Sequence, residues 1–160
     1  KKGISIQWTG GKRYTLLWGQ IEGVSHHMVE SKFLGMTLNR RESLTLHRRG
    51  GKPIRVDDHL RNLPELAARI KAKVYPSLLP RLRTRLQQRE PLHFGPVTLH
   101  QEGLRLQNQT IPWPSVLHIN IQDGHLMVES EHQKTTRVPT GIIPNIELLI
   151  QLLQEGVYTS

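Results

Sequence analysis

The sequence predicts an α+β protein built from two related modules, each made of antiparallel strands followed by a closing helix. Short runs of alternating apolar and polar residues are separated by glycine turns, which is typical of antiparallel strands. An apolar stripe with helical spacing ends each half of the chain. Three short segments of the first half recur in the same order in the second half, so an internal duplication is expected.

Strand signals are clearest in the second half. A tight hairpin is predicted at Asp123-Gly124, because this pair separates two alternating runs and tolerates the positive φ angles of a two-residue turn. Asn145 is expected to cap a closing helix that stops near Gly156. The predicted strands occupy 94–100, 104–106, 116–121, 125–128 and 133–138.

The first half shows the same succession. Asn62 and Glu65 have the spacing of a capping box and predict the start of a helix. Pro76 is expected to end this helix, and Ser77 to cap a second one. The helical stripe consists of Leu63, Leu66, Ala67, Ile70 and Val74. The predicted strands occupy 4–6, 14–18, 21–24, 36–40, 44–47 and 54–56.

The matched segments assign structural roles to several residues. Segment 3–7 resembles 103–107, segment 17–24 resembles 112–119, and segment 62–66 resembles 143–148. Trp18 and Trp113 are expected to anchor the core through their large apolar rings, with ligand binding as the alternative. The residues assigned to structure are Trp18, Trp113, Gly3, Gly103, Asp123 and Gly124.

Domain boundaries follow from these patterns. The predicted first module spans 1–74, a basic helical linker 75–91, and the second module 92–160. The first module has no counterpart of the strand at 94–100, so it is expected to lack its opening strand. Strand-like alternation begins directly after Lys1, which favours a chain cut from a longer protein.

Four short motifs carry a resemblance to a known family. They are Phe94-Gly95-Pro96-Val97-Thr98-Leu99, Gly103-Leu104, Ile111-Pro112-Trp113 and Ile143-Pro144-Asn145. In this order they resemble an uncharacterised bacterial family of tandem pleckstrin-homology-like domains. The resemblance implies that each module is a bent antiparallel barrel or sandwich, plugged by its C-terminal helix. Eukaryotic relatives hold phosphoinositides through a basic first strand-loop-strand. That segment is absent from the first copy and nearly neutral at 97–105, so this ligand is not implied.

Positive charge is concentrated in the first half. The net charge is +9, and 19 of the 22 Lys and Arg precede His93, together with 7 of the 13 acidic residues. This half is therefore expected to attract an anionic membrane surface or an acidic protein, with nucleic acid as the alternative. The predicted binding residues on one hairpin and its turn are Arg40, Arg41, Arg48, Arg49, Lys52 and Arg55. Those on the linking helix are Arg81, Arg83, Arg85 and Arg89.

Catalytic chemistry finds little support. The absence of cysteine excludes a disulfide, a thiolate zinc site and a cysteine nucleophile. His118, His125 and Asp123 are the best metal candidates, although surface positions explain them better. Asp57-Asp58 is interpreted as an acidic turn before a helix, and Ser25 beside His26 as a chance neighbour. No enzyme activity, cofactor or metal is expected.

The sequence therefore predicts a non-catalytic binding or scaffolding module. Open sheet edges of the incomplete first module predict a further contact by strand addition, from a partner or from a second copy. No apolar run approaches the ~20 residues that a membrane span needs. We expect a cytoplasmic location, with any membrane attachment made through a segment upstream of Lys1.

Overall fold

The computed structural model describes residues 2–7, 10–57 and 60–156. Within these ranges the chain is a mixed α+β fold of four antiparallel sheets and two α-helices, and none of the sheets closes into a barrel. The prediction of an α+β class is confirmed. No helix in the described part of the chain is both long and apolar enough to cross a bilayer.

Two sheets form the first half. A two-stranded sheet is followed by a 3-10 turn at Trp18–Gln20 and then by a three-stranded sheet in which the strands pair in chain order. The strands of the first sheet are β1 (Gly3–Gln7) and β2 (Arg13–Leu17). The strands of the second are β3 (Ile21–Phe33), β4 (Met36–Arg48) and β5 (Ile54–Asp57).

Strands β3 and β4 are much longer than the alternation predicted. Each has 13 residues, and β4 runs without a break through the two segments that were expected to be separate strands. Only the part near Leu44 and Leu46 is buried, because these side chains face the core while the far end of the hairpin leaves it. Packing against the core therefore fixes the base of this hairpin and not its tip.

A single helix, α1 (Leu63–Gln87), corrects the prediction of two helices around Pro76. Pro76 and Pro80 both lie inside it, and each lacks the N–H that would continue the helical hydrogen bonds. The buried stripe nevertheless continues past both prolines to Leu78 and Leu82. Burying those two leucines contributes about 2 kcal/mol each, which offsets part of the backbone cost of about 3 kcal/mol for each proline.

The capping box predicted at Asn62 and Glu65 is wrong. Asn62 precedes α1 with φ 64° in the left-handed region, and its side chain makes no capping hydrogen bond. Glu65 instead pairs with Arg69 one turn later, at 2.6 Å. A left-handed residue directs its side chain away from the first-turn N–H groups, because a capping side chain needs an extended backbone.

The second half contains a four-stranded sheet, a three-stranded sheet and the helix α2. Asp123 and Gly124 have φ angles of 49° and 72° between two paired strands, which confirms the predicted hairpin. The first sheet contains β6 (Leu92–Phe94), β7 (Val97–His100), β8 (Gly103–Leu106) and β9 (Gln109–Pro112). The second contains β10 (Val116–Gln122), β11 (His125–Ser130) and β12 (Gln133–Pro139). The 3-10 turns are Trp113–Ser115 and Thr140–Ile142, and α2 is Ile146–Glu155.

One continuous apolar core joins the two halves. It includes residues from both, such as Leu46 and Ile70 from the first and Leu104 and Leu149 from the second. Trp18 and Trp113 lie at its edge, partly buried against the core residues. The placement agrees with an anchoring role, although neither ring is in the centre.

Asn145 holds the start of α2 against β3. Its side-chain amide donates to the carbonyl of Glu22 at 2.8 Å, and its side-chain oxygen accepts the N–H of Val24 at 2.9 Å. Its backbone N–H donates to the carbonyl of Val24 at 2.9 Å. Asn145 is buried and left-handed, so it clamps the two halves together and does not cap α2 with its side chain.

Ion pairs also join α1 to α2. Glu147 accepts hydrogen bonds from Lys71 and from the Tyr75 hydroxyl. Burial acts to raise the pKa of Glu147, but these two hydrogen bonds outweigh it and hold that pKa below its usual value. The Arg83 guanidinium donates two hydrogen bonds to the Glu155 carboxylate, at 3.0 and 2.5 Å. The helices are therefore bound to each other by charge as well as by the core.

Candidate functional site

The six basic residues that were predicted to form one cluster on a hairpin lie apart in the structure. Arg40 and Arg41 lie on the part of β4 that leaves the core, whereas Arg48 and Arg49 lie at its opposite end. At about 3.3 Å per residue, Arg41 and Arg48 are about 23 Å apart. The prediction of a single cluster is therefore corrected, because β4 is one continuous strand.

Several of these cations are engaged within the protein. Arg49 pairs with Glu22 at 2.7 Å, and Arg55 with Asp57 at 2.8 Å. Arg48 donates to the carbonyl of Lys52 at 2.9 Å. Asp58, the second member of the predicted carboxylate pair, lies outside the described residues.

The arginines of α1 are also partly neutralised. Arg83 holds Glu155, and Arg85 holds Glu90 at 2.7 Å. In the described part of the chain, Arg81 and Arg89 make no ion pair, but Arg89 lies beyond the end of α1 at Gln87, which corrects its predicted place on the helix. The helix therefore does not present four free guanidinium groups on one surface.

A projecting ribbon is the most distinctive feature of the first half. Every residue from 28 to 41 is exposed, on both faces of the β3–β4 hairpin. We call this segment the distal hairpin. Its strands stay paired to the tip, from Val29 opposite Arg41 to Phe33 opposite Met36. From Val29 to Leu34 it extends about 16 Å beyond the core.

The tip of the distal hairpin is apolar. Leu34 is 84% exposed, and Phe33, Met36 and Leu38 are each more than 60% exposed. Soluble proteins rarely leave so many large apolar side chains together in water unless they contact a partner or a membrane. The tip is therefore not part of the core, and it is the candidate contact surface of the first half.

The turn at the tip is strained in a way that favours this interpretation. Leu34 and Gly35 have φ angles of 48° and 79°, which define a two-residue hairpin turn with both positions left-handed. Asn or Asp would occupy the first position at little cost, whereas leucine costs about 1 kcal/mol there. The chain thus keeps a large apolar group at its most exposed point.

Cations flank the apolar tip. Lys32 is adjacent to Phe33, and its ammonium lies 3.8 Å from Glu30. Arg40 pairs with Glu42 at 2.5 Å near the base of the distal hairpin. Arg61 and Leu60 border a small cleft together with Arg40, so they extend this basic and apolar surface toward the start of α1.

The base of the hairpin carries a polar contact that the sequence did not predict. The Ser25 hydroxyl lies 3.0 Å from His47 Nε2, although the two residues are 22 positions apart. Burial lowers the pKa of His47 and so favours the uncharged form of the ring. Pairing across β3 and β4 creates the contact, and neither residue has a local motif that could reveal it.

The predicted metal candidates are not brought together. His118 is opposite Glu129, and His125 is opposite Gln122, four positions further along β10. This offset separates the two histidines by about 13 Å. His125 contacts the carbonyl of Asp123 at 2.9 Å. Among the described residues, no three His, Asp or Glu side chains gather in a way that could hold a metal ion.

The chain is thus an α+β protein with an exposed apolar and basic hairpin. The chain belongs to a family of unknown function, DUF6585, whose family model matches residues 2–159. No curated protein matches the chain, and no solved structure does either. The membership agrees with the expectation of an uncharacterised family.

Proposed function

We propose that this protein is a binding module that attaches to anionic membrane surfaces through the distal hairpin, on a scaffold of two pleckstrin-homology-like copies. The apolar tip enters the outer part of the bilayer, and the neighbouring cations contact anionic headgroups. The single observation that carries the proposal is the exposed group of four large apolar side chains at the end of a ribbon. That the chain is not an enzyme stays a prediction, as does a homo-oligomer formed through sheet edges.

Matched backbone contacts support the two-copy scaffold. Trp18 N–H donates to the carbonyl of Lys2 at 3.1 Å, and Trp113 N–H donates to the carbonyl of Glu102 at 3.3 Å. Each of these carbonyls belongs to the residue before a glycine, Gly3 or Gly103. Each tryptophan also begins a three-residue 3-10 turn that leads into a three-stranded antiparallel sheet. Two copies of one unit explain these shared details.

The strand count departs from the sequence prediction in one respect. The second half has two strands, Leu92–Phe94 and Val97–His100, before the strand that starts at Gly103. The described first half begins with the equivalent of that third strand, Gly3–Gln7. Counterparts of both strands are therefore not found among the described residues of the first half, whereas the sequence predicted that one would be missing.

Magnitudes favour a membrane over a purely electrostatic partner. Burying a leucine, phenylalanine or methionine side chain contributes about 1.5–3 kcal/mol. Partial insertion of Phe33, Leu34 and Met36 would therefore contribute about 3–6 kcal/mol. A cation near an anionic surface adds about 1 kcal/mol. The apolar tip therefore supplies most of the binding free energy, and the cations give the preference for anionic headgroups.

Nucleic acid is less well supported. Binding through phosphates needs several free cations on one surface, and three of the four α1 arginines already pair with carboxylates. The only aromatic ring at the hairpin tip is Phe33 in the described residues, so stacking of successive bases has no platform there. An acidic protein could bind the same cations, but such a partner would not explain why Leu34 is exposed.

A substitution at the turn tests the proposal. Leu34→Asn converts the turn to Asn-Gly, which favours the observed φ angles, so the folded hairpin should be equally or more stable. The same change removes the most exposed apolar side chain. We expect binding to mixed phosphatidylcholine–phosphatidylserine vesicles, measured by flotation, to weaken about tenfold while the unfolding temperature stays equal or rises.

The matched control is Leu117→Asn, which removes an exposed leucine from β10 in the second half. This variant should float with vesicles as the wild type does. If the wild-type protein floated with neither the mixed vesicles nor vesicles of phosphatidylcholine alone, membrane binding would be refuted. An acidic protein would then remain as the partner. Equal losses for the two leucine variants would refute the assignment to the hairpin.

A further inference from the structure

A polar cleft of about 620 Å³ lies at the base of the distal hairpin, on the outer face of the β3–β4–β5 sheet. Its volume is in the range of small-molecule sites. Strand pairing explains its composition, since Ser25 is opposite Thr45 and His27 is opposite Ser43. Alternation places these side chains on one face and sends Val24, Leu44 and Leu46 into the core on the other.

The second half of the chain supplies one wall. The 3-10 turn Thr140–Ile142 lies against β3, and Gly141 and Ile142 border the cleft. A Cβ atom at Gly141 would collide with the His27 ring, so a larger residue there would force that ring to move. The cleft therefore exists only where the two halves pack together.

Hydrogen-bond donors dominate the lining. It contains two arginines, two histidines and three hydroxyl groups: Arg41, Arg55, His27, His47, Ser25, Ser43 and Thr45. One carboxylate, Glu42, also lines the cleft, and it pairs with Arg40; Asp57, outside the lining, pairs with Arg55. Among the described residues, Arg41 makes no ion pair. Guanidinium, imidazole and hydroxyl groups together are the donors that bind phosphate oxygens.

An apolar end adjoins the donors. Val29 and Ile142 border the cleft and are 46% and 48% exposed. Inorganic phosphate would leave these side chains in water, whereas the organic part of a phosphate ester would cover them. The ligand should therefore have a charged group and an apolar body.

We propose that this cleft binds a phosphate monoester, with the phosphoryl group among Arg41, His27 and Ser43 and the organic group against Val29 and Ile142. The phosphate could belong to a soluble metabolite or to a lipid headgroup. Val29 is about 16 Å from the hairpin tip, beyond the headgroup layer when the tip is inserted upright. This distance predicts the soluble source.

Titration with phenyl phosphate and with inorganic phosphate tests the proposal. The titration is monitored through the NMR resonances of the His27 and His47 rings. We expect both rings to shift, with phenyl phosphate binding more tightly than inorganic phosphate. Arg41→Gln and Ser43→Ala should each weaken the binding of phenyl phosphate, and the arginine change should do so by about tenfold. Lys52→Gln makes the same charge change outside the cleft and should alter the affinity by less than about twofold.

Two further arms identify the source and separate this site from membrane binding. Displacement of phenyl phosphate by phosphatidic acid vesicles would indicate a lipid headgroup, and retention would indicate a soluble ester; both support the phosphate monoester. Leu34→Asn should bind phenyl phosphate as the wild type does, so failure of the hairpin proposal does not affect this result. Ring shifts no larger than those caused by chloride at equal ionic strength would overturn the inference. Equal weakening by Arg41→Gln and Lys52→Gln would also overturn it.

Discussion

Replacing Gly103 by alanine should destabilise the protein by about 3 kcal/mol or more, a large share of the about 5–15 kcal/mol by which a typical domain is stable. Gly103 starts β8 directly opposite Pro112 on β9. A Cβ atom there would collide with the carbonyl oxygen of Ile111 and would come within 3.0 Å of Pro112 Cα. These atoms belong to the backbone of a neighbouring strand, so rotation of a side chain cannot relieve the clash.

Chemical denaturation followed by circular dichroism measures this effect. Gly19→Ala is the matched control, since a Cβ atom at Gly19 would meet no atom within 4 Å. Gly3→Ala should behave like Gly103→Ala, because its Cβ atom would collide with the carbonyl oxygen of Leu16. A Gly103→Ala variant as stable as Gly19→Ala would show that β8 and β9 do not approach as described.

Replacing Asn145 by alanine should destabilise the protein by about 3–5 kcal/mol. The side chain satisfies the buried N–H of Val24 and the carbonyl of Glu22, and each group left unpaired costs about 1–3 kcal/mol. Alanine in the left-handed conformation adds about 1 kcal/mol. Because these hydrogen bonds join α2 to β3, the loss should loosen the contact between the two halves.

Asn62→Ala separates the hydrogen-bond cost from the backbone cost. Asn62 is also left-handed before a helix, with φ 64°, but its side chain makes no capping bond and is exposed. It should lose only the backbone contribution of about 1 kcal/mol in the same denaturation experiment. If the two alanine variants proved equally stable, the side chain of Asn145 would not be the clamp between the halves.

Local patterns in the sequence were enough to predict the regular parts of the fold. Asp123-Gly124 marks a hairpin because few residues accept two positive φ angles in succession. The stripe through Leu63, Ala67, Ile70 and Val74 marks a helix because these side chains share one face. The error at Pro76 arose because proline raises the local cost of a helix, while burial of Leu78 and Leu82 is a tertiary effect.

The candidate site was only partly predictable. Arg40 and Arg41 were included for their charge, but the apolar tip was missed because Leu34-Gly35 is an unfavourable turn pair and residues 28–41 have no buried face to impose alternation. The contact of Ser25 with His47, and the clamp at Asn145, depend on register and on residues up to 123 positions apart. Such contacts leave no local spacing in a sequence.

The depth of residue 34 in the membrane tests the central claim most directly. The chain has no cysteine, so Leu34→Cys and Leu117→Cys each allow one fluorescent label at a single defined position. When the labelled proteins bind mixed phosphatidylcholine–phosphatidylserine vesicles, lipids brominated on the acyl chain should quench the label at 34 and not the label at 117. If aqueous iodide still quenched the label at 34 while the protein was bound to vesicles, insertion of the hairpin tip would be contradicted.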